Sequence, residues 1–309
     1  MVENAIVAHG LAKNYERTQV VHGIDLDIRA GEVFALLGPN GAGKTTTVEI
    51  LEGIRHRSAG EVRVLGEDPA RNSAAWRARI GVVPQQSGIF DDLTTREVVA
   101  HFAAFYPDPL PVGHVLELVG LGQQQAKRAA ALSGGQQRRL DVAIGIVGNP
   151  ELIFLDEPTT GLDPEARRAA WDLVGYLSER GATTVLTTHY LDEAEQLADR
   201  VALLIAGRVV EMGRVAELRR RLDAPATVSF GCPESLRRHP LPVLPSGTRA
   251  DLADDVWTLR TPAPTATAGV LAGWAHESGI SELPDFRVHQ PTLEDIYLDL
   301  VRTTERAES

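Results

Sequence analysis

The chain has almost no cysteine, very little lysine, a deficit of positive charge and no long apolar run. Its one cysteine, Cys232, excludes an internal disulfide. No apolar run approaches the ~18 residues that a membrane-spanning helix needs; Val201 to Ala206 is typical of the longest stretches. The first residues, Met1-Val2-Glu3-Asn4, bring neither a basic region nor a long apolar core, so no secretory signal is expected and a cytoplasmic place is. There are 31 basic against 42 acidic residues, for a net charge of −11. That balance argues against a general nucleic-acid binder, whose surface is usually basic, although a local patch stays compatible. No internal repeat and no heptad run occurs. What remains is a 309-residue chain with 43% hydrophobic and 24% charged residues, the composition of a soluble globular protein. That length can hold two domains and a large core.

The shortage of lysine makes one lysine informative. Only Lys13, Lys44 and Lys127 occur; the other basic residues are arginine. Lys44 lies in Gly38-Pro39-Asn40-Gly41-Ala42-Gly43-Lys44-Thr45-Thr46, a complete G-x-x-x-x-G-K-[ST] phosphate-binding loop. The apolar run Val33 to Leu37 enters it as a predicted strand, and a helical segment, Thr45 to Gly53, leaves it. Glycines let successive backbone N–H groups face phosphates, and the helix start adds its positive end. A compact ammonium fits such a cradle where a planar guanidinium would not. Lys44 is placed to reach the β- and γ-phosphates of a nucleoside triphosphate, and the Thr45 hydroxyl to bind Mg²⁺.

The rest of the pattern predicts an α/β fold. Ile6 and Ala8, then Ile24 to Ile28, alternate like antiparallel strands with one wet face. Glu61–Leu65 and Ile80–Val83 read as further strands. Helical periodicity fills Thr95–Phe105, Val112–Val119 and Gly134–Val147, a helical subdomain at about 88–150. Strands and helices then alternate: Leu152–Leu155, Pro164–Arg180, Thr183–Thr187, Leu191–Ala198, and a hairpin of Val201–Leu204 with Arg208–Glu211. Continuous apolar strands alternating with helices mean a parallel sheet covered on both faces. Prolines cluster after residue 223, and 223–309 reads as a small α+β domain behind a first domain of 1–222. Its last helix opens on a capping box, Thr292 to Asp295. Leu293, Ile296, Tyr297, Leu300 and Val301 share one face, which suits either core packing or a partner interface.

Two further segments carry chemistry. Leu152 to Glu157 is a buried strand ending in two acids, and acids at the carboxyl edge of a parallel sheet lie where α/β folds bind ligands. Asp156 is a candidate for holding Mg²⁺ through water and Glu157 for general base. In Leu132-Ser133-Gly134-Gly135-Gln136, Ser133 and Gln136 fit a capping box, and two glycines leave bare N–H groups at a helix start, a second anion site. Two such sites in one chain make sense if two chains pair, the second site of each covering the γ-phosphate held by the other. The plain alternative is a capped helix start.

The order of these motifs over residues 1 to about 222 resembles the ATP-binding subunit of an ATP-binding cassette (ABC) transporter. The resemblance implies a phosphate-loop fold with a parallel core, an antiparallel β subdomain and a helical subdomain. It implies ATP and Mg²⁺ as ligands. Tyr15 resembles the aromatic that stacks on adenine. Gln85 resembles the glutamine that contacts Mg²⁺ and the membrane partner, Leu132 to Gln136 the signature stretch, and Asp156-Glu157 the metal and base pair. Gly161-Leu162-Asp163 resembles the segment that crosses the dimer interface, and His189 the histidine that senses the γ-phosphate. Asp163-Pro164 also reads as a helix N-cap and first residue. The runs Gln137 to Asp141, Thr187 to Ala194 and Pro291 to Tyr297 are similar to multidrug exporters of the daunorubicin-resistance type. There the ATPase is a separate chain from its permease. The implied partners are a second ATP-binding subunit and an integral-membrane permease, with no nucleic acid, at the cytoplasmic face of the membrane. A non-transport ABC ATPase acting on nucleic acid or the ribosome is the alternative. It usually carries a long coiled-coil insert or two ATPase units, which this sequence lacks.

Overall fold

The computed structural model describes residues 4–16, 18–84, 90, 92–160, 162–221, 225–232 and 234–297. It divides into two units, Met1–Arg214 and Val215–Ser309. The division falls shortly before the compositional shift near residue 223.

Along the first unit run strands β1 (Asn4–Tyr15), β2 (Thr18–Arg29), β3 (Val33–Leu37), β4 (Ala59–Val64), β5 (Ile80–Val83), β6 (Leu152–Asp156), β7 (Thr183–Thr188), β8 (Arg200–Ile205) and β9 (Arg208–Gly213). Between them lie helices α1 (Lys44–Leu51), α2 (Ala74–Arg77), α3 (Thr95–Ala103), α4 (Val112–Leu118), α5 (Gly134–Ile146), α6 (Pro164–Glu179) and α7 (Leu191–Leu197). Strands β2, β1 and β4 form a small antiparallel sheet in that order. The alternation explains it: Ile6, Ala8, Ile24, Leu26 and Ile28 are buried while Asp25 faces out.

The large sheet has the order β5-β6-β7-β3-β8-β9. Neighbours from β5 to β8 are parallel, and β9 closes an antiparallel hairpin with β8. Strands β3, β7 and β8 are buried at every residue, as strands covered on both faces must be. One apolar cluster joins Ile6, Leu26 and Ile28 of the small sheet, Phe34, Leu36 and Phe154 of the large one, and Val48 and Leu51 of α1. Each such buried side chain stabilises by about 1.5–3 kcal/mol. The helix behind the phosphate loop is therefore pinned by both sheets. In the helical stretch, α3 and α5 each open on a complete capping box, Thr94 with Glu97 and Ser133 with Gln136. Each cap contributes about 1 kcal/mol.

The second unit holds α8 (Val215–Arg221), β10 (Ala226–Gly231), α9 (Glu234–Arg237), β11 (Arg249–Ala253), β12 (Val256–Thr261), α10 (Pro264–Glu277) and β13 (Arg287–His289). Its sheet is antiparallel, in the order β11-β12-β10-β13. Val228, Phe230, Cys232, Leu259, Leu271 and Trp274 make its core. A last helix, α11, begins at 293. Thr292 and Asp295 exchange the expected capping bonds, at 2.9 Å from the Thr292 N–H and 3.2 Å from the Asp295 N–H. Leu293 and Ile296 are buried; Leu300 and Val301 lie outside the described residues.

Candidate functional site

The carboxyl ends of β3, β7 and β6 lie side by side, because Leu37 pairs with Thr188 and Asp156 with Thr187. From these three ends start the phosphate loop, the turn to His189 and the Asp156-Glu157 pair. Segments separated by more than a hundred residues thus reach one edge of the sheet.

The loop's tightness explains its glycines. A Cβ on Gly38 would lie 2.2 Å from the Leu204 carbonyl oxygen. Gly43 has φ 98°, a left-handed conformation that only glycine adopts freely, and no side chain caps the helix it opens. The first N–H groups of α1 are thus left to a ligand. Lys44 is buried, and its ammonium donates to the carbonyls of Gly38 at 2.7 Å and Pro39 at 3.2 Å. Burial pushes this ammonium below the ordinary lysine value, against the opposing pull of Glu157 and Asp156. Pro39, Asn40 and Gly41 are exposed along the loop, Ala42 is buried, and Thr45 is exposed beside half-buried Thr46. Tyr15 ends β1, with Lys13 Nζ 5.0 Å and the Arg55 guanidinium 5.2 Å from its ring centre. The paired strand β2 runs over the loop, where a Gly43 Cβ would be 3.0 Å from the Val20 oxygen.

The acids are held firmly. Thr187 donates its hydroxyl to Asp156 Oδ1. Glu157 has φ 46°, and its N–H is tied to the Thr187 carbonyl and hydroxyl, both at 3.1 Å. A left-handed glutamate is a strained conformation kept only where its surroundings over-determine it. The Glu157 carboxylate lies 3.2 Å from His189 Nδ1 and accepts from Thr160 Oγ1 at 3.2 Å. His189 tilts over Tyr190 at 4.1 Å between ring centres.

The Ser133 segment is built otherwise. The Ser133 N–H donates to Gln136 Oε1 at 3.1 Å and the Gln136 N–H to Ser133 Oγ at 3.4 Å. Ser133 and Gly134 are exposed, and Gly135 is half-buried. Asp163 caps α6 by accepting from the Ala166 N–H at 2.8 Å. Gln85 and Gly161 lie outside the described residues.

Asp156 and the Thr45 hydroxyl are a donor set suited to Mg²⁺, which takes one or two protein oxygens and completes its shell with water and phosphate. Among the described residues no group of three His, Cys, Asp or Glu forms a protein-only cage.

Sequence reasoning gave Thr187, Thr160 and Arg138 no role in the site. Thr187 could have been found from strand alignment, since it pairs with Asp156 near the end of the adjacent strand. The Arg138 contacts cross three segments and leave no local signal. Glu193 is also buried, hydrogen-bonded to Trp171 Nε1 at 3.3 Å, and burial raises its carboxyl above the usual range.

A family profile described as "ABC transporter" matches residues 21–160, and one described as "ABC transporter domain-containing protein-like, C-terminal domain" matches 226–292. The chain is 43% identical over 225 residues to the daunorubicin/doxorubicin resistance ATP-binding protein of Streptomyces peucetius, covering 71% of this chain and 68% of that one. It is 36% identical over 307 residues to Nod factor export ATP-binding protein I of Paraburkholderia xenovorans, covering 97% and 98%. A solved ATP-binding cassette, dimeric in a post-hydrolysis state with ADP and Pi, superposes with a TM-score of 0.60 at 26% identity, over 68% of this chain and 98% of that one. The chain belongs to the ATP-binding subunits of ABC transporters, a family of ATPases.

Proposed function

We propose that this chain is the motor of an exporter, in which two copies close head to tail around two ATP molecules and drive a separate permease. The observation that carries this is the edge where Lys44, Asp156, Glu157 and His189 meet. Lys44 would exchange its loop carbonyls for the β- and γ-phosphate oxygens. Tyr15 would stack on adenine. Glu157 would take a proton from the attacking water while His189, within hydrogen-bond reach of it, holds the γ-phosphate. Mg²⁺ would neutralise phosphate charge, held by Thr45, Asp156 and Gln85. Ser133 to Gln136 of the second chain would complete the phosphate cage, with Asp163 near the crossing.

The two named relatives act in daunorubicin/doxorubicin resistance and Nod factor export. Drug-like efflux at the cytoplasmic face of the membrane is the reading these names support for this chain. Among the described residues no helix is long and apolar enough to cross a bilayer, so the path would belong to the permease. A groove of the first unit lined by Ile54, Trp76, Phe102, Phe105 and Tyr106 is a suitable seat for it, with Ile54 and Phe105 about two-thirds exposed. We take 1–222 as the motor and 223–309 as an accessory domain. Co-expression with a candidate membrane permease tests the reading. The pair should co-purify, and vesicles should accumulate daunorubicin with ATP but not ADP. Efficient ATP hydrolysis with no such partner and no accumulation would overturn the exporter assignment.

A further inference from the structure

We propose that Arg138 is a positioning residue for hydrolysis, locking the Glu157 peptide to the helix that begins at Ser133. The proposal rests on the reading of Glu157 as general base.

Arg138 lies in the second turn of α5 with a side chain only 10% exposed. Its guanidinium is nearly consumed by main-chain oxygens. One terminal nitrogen donates to Pro84 at the end of β5. The other donates to the Asp156 carbonyl at 2.8 Å and approaches that of Glu157 at 3.4 Å. The Nε–H reaches the Pro158 carbonyl at 3.3 Å. Asp141, one turn along the helix, stands 3.9 Å away as counter-charge and is itself mostly buried. A planar fork with five fixed donors can tie its own helix to two other chain segments at once, and an ammonium on a flexible stem cannot.

What these carbonyls have in common is their place. Asp156, Glu157 and Pro158 are the turn in which the glutamate has φ 46°. Thr187 holds that turn from the β7 side through the Glu157 N–H. Arg138 holds it from the α5 side through the carbonyls. A general base loses about a hundredfold in rate when displaced by ~1 Å, so the groups that fix its backbone set its efficiency without touching substrate. Lys44 and the loop are anchored separately, by β3 and α1. Loss of Arg138 should therefore reduce turnover and leave ATP binding alone.

The test uses the full-length chain as wild type, Arg138→Lys, Arg138→Met, Glu157→Gln and the double variant Arg138→Met with Glu157→Gln. Equilibrium ATP binding, steady-state turnover and single-turnover hydrolysis are measured. The expected result is a kcat lowered at least ~30-fold in Arg138→Met with Kd for ATP within about threefold of wild type. Arg138→Lys should recover part of the rate. In the Glu157→Gln background, Arg138→Met should cause little further loss, because it acts through that carboxylate. If Arg138→Met fails to fold, the same split between kcat and Kd is read in Arg138→Lys. A wild-type kcat, a parallel fall of binding and turnover, or a full additive loss in the double variant would overturn the proposal. Wild-type turnover in Glu157→Gln alone would instead show that the general-base reading has failed, and the proposal with it.

Discussion

Two helices of the first unit have glycine at their starts, and they begin differently. Helix α1 starts after Gly43, has no side-chain cap and is buried at its first residue. Helix α5 starts after Ser133, where a capping box takes the Ser133 and Gln136 N–H groups and leaves those of Gly134 and Gly135 without a side-chain cap, and it is exposed at its first residue. Uncapped N–H groups beside a buried lysine and two acids form a site that needs a ligand. A partly capped, exposed turn is stable by itself and keeps two glycine N–H groups open to one. In the proposed account the first end does chemistry within its own chain, and the second acts on the nucleotide of another chain. The difference is one of local hydrogen bonding rather than of helix dipoles, which both ends share.

The sharpest way to break the α1 end is Lys44→Ala. It removes a preorganised cation from developing phosphoryl charge, worth about 3 kcal/mol or more, so steady-state turnover should fall at least ~100-fold. A variant keeping half its rate would remove the loop from the account. The corresponding change at the α5 end is Ser133→Arg. It should leave single-chain ATP affinity within about twofold while turnover falls at least ~10-fold, since the bulk acts only when two chains meet. Equal loss of binding and turnover would place Ser133 in the same site as Lys44 and erase the contrast.

A smaller effect tests the far end of α1. Glu52 follows that helix, and its carboxyl is pushed up to about 8, by burial first and then by the charges of Asp156 and Glu49. A carboxyl whose folded value is raised binds more protons folded than unfolded between about 4.5 and 8. Its contribution to stability is therefore present in acid and is lost as pH rises across that window. Glu52→Gln should flatten this fall and melt higher than wild type at pH 8, where 1 kcal/mol corresponds to about 2–4 °C. Identical melting curves at pH 8 would show that the carboxyl is solvated at no cost.

The contrast between the two helix starts could be read before any coordinates, because it rests on short local motifs. The loop, the apolar strand before it and the Ser133 to Gln136 box are each written within a few consecutive residues. Strand faces were also legible in part, since the alternation from Ile24 to Ile28 in β2 and the burial of Val33–Leu37 and Leu152–Leu155 follow from the apolar pattern, whereas the bulged pairing of β1 with β2 does not. Other features were not. Strand β11 escaped because all five of its residues are exposed and its turn is Asp254-Asp255, at φ 49° and 63°, where glycine is the usual signal. Helices α8 and α9 are too short to show a period. In the sequence Arg138 reads only as part of the run Gln137 to Asp141, because its contacts to Pro84, Asp156, Glu157 and Pro158 exist only once three segments have folded together.

The central claim is that the exposed α5 start of one chain completes the site at the α1 start of another. Glu157→Gln tests it most directly, because the amide keeps shape and polarity but is too weakly basic to activate water. Binding and closure should survive in that variant while hydrolysis stops, which would leave the closed pair no route to open except by losing ATP. Light scattering with saturating Mg²⁺-ATP should give twice the monomer mass of 33.4 kDa. The pair should vanish with ADP, and adding Ser133→Arg should return the monomer. A Glu157→Gln chain that stays monomeric with saturating ATP, alone and with its purified permease, would contradict the account.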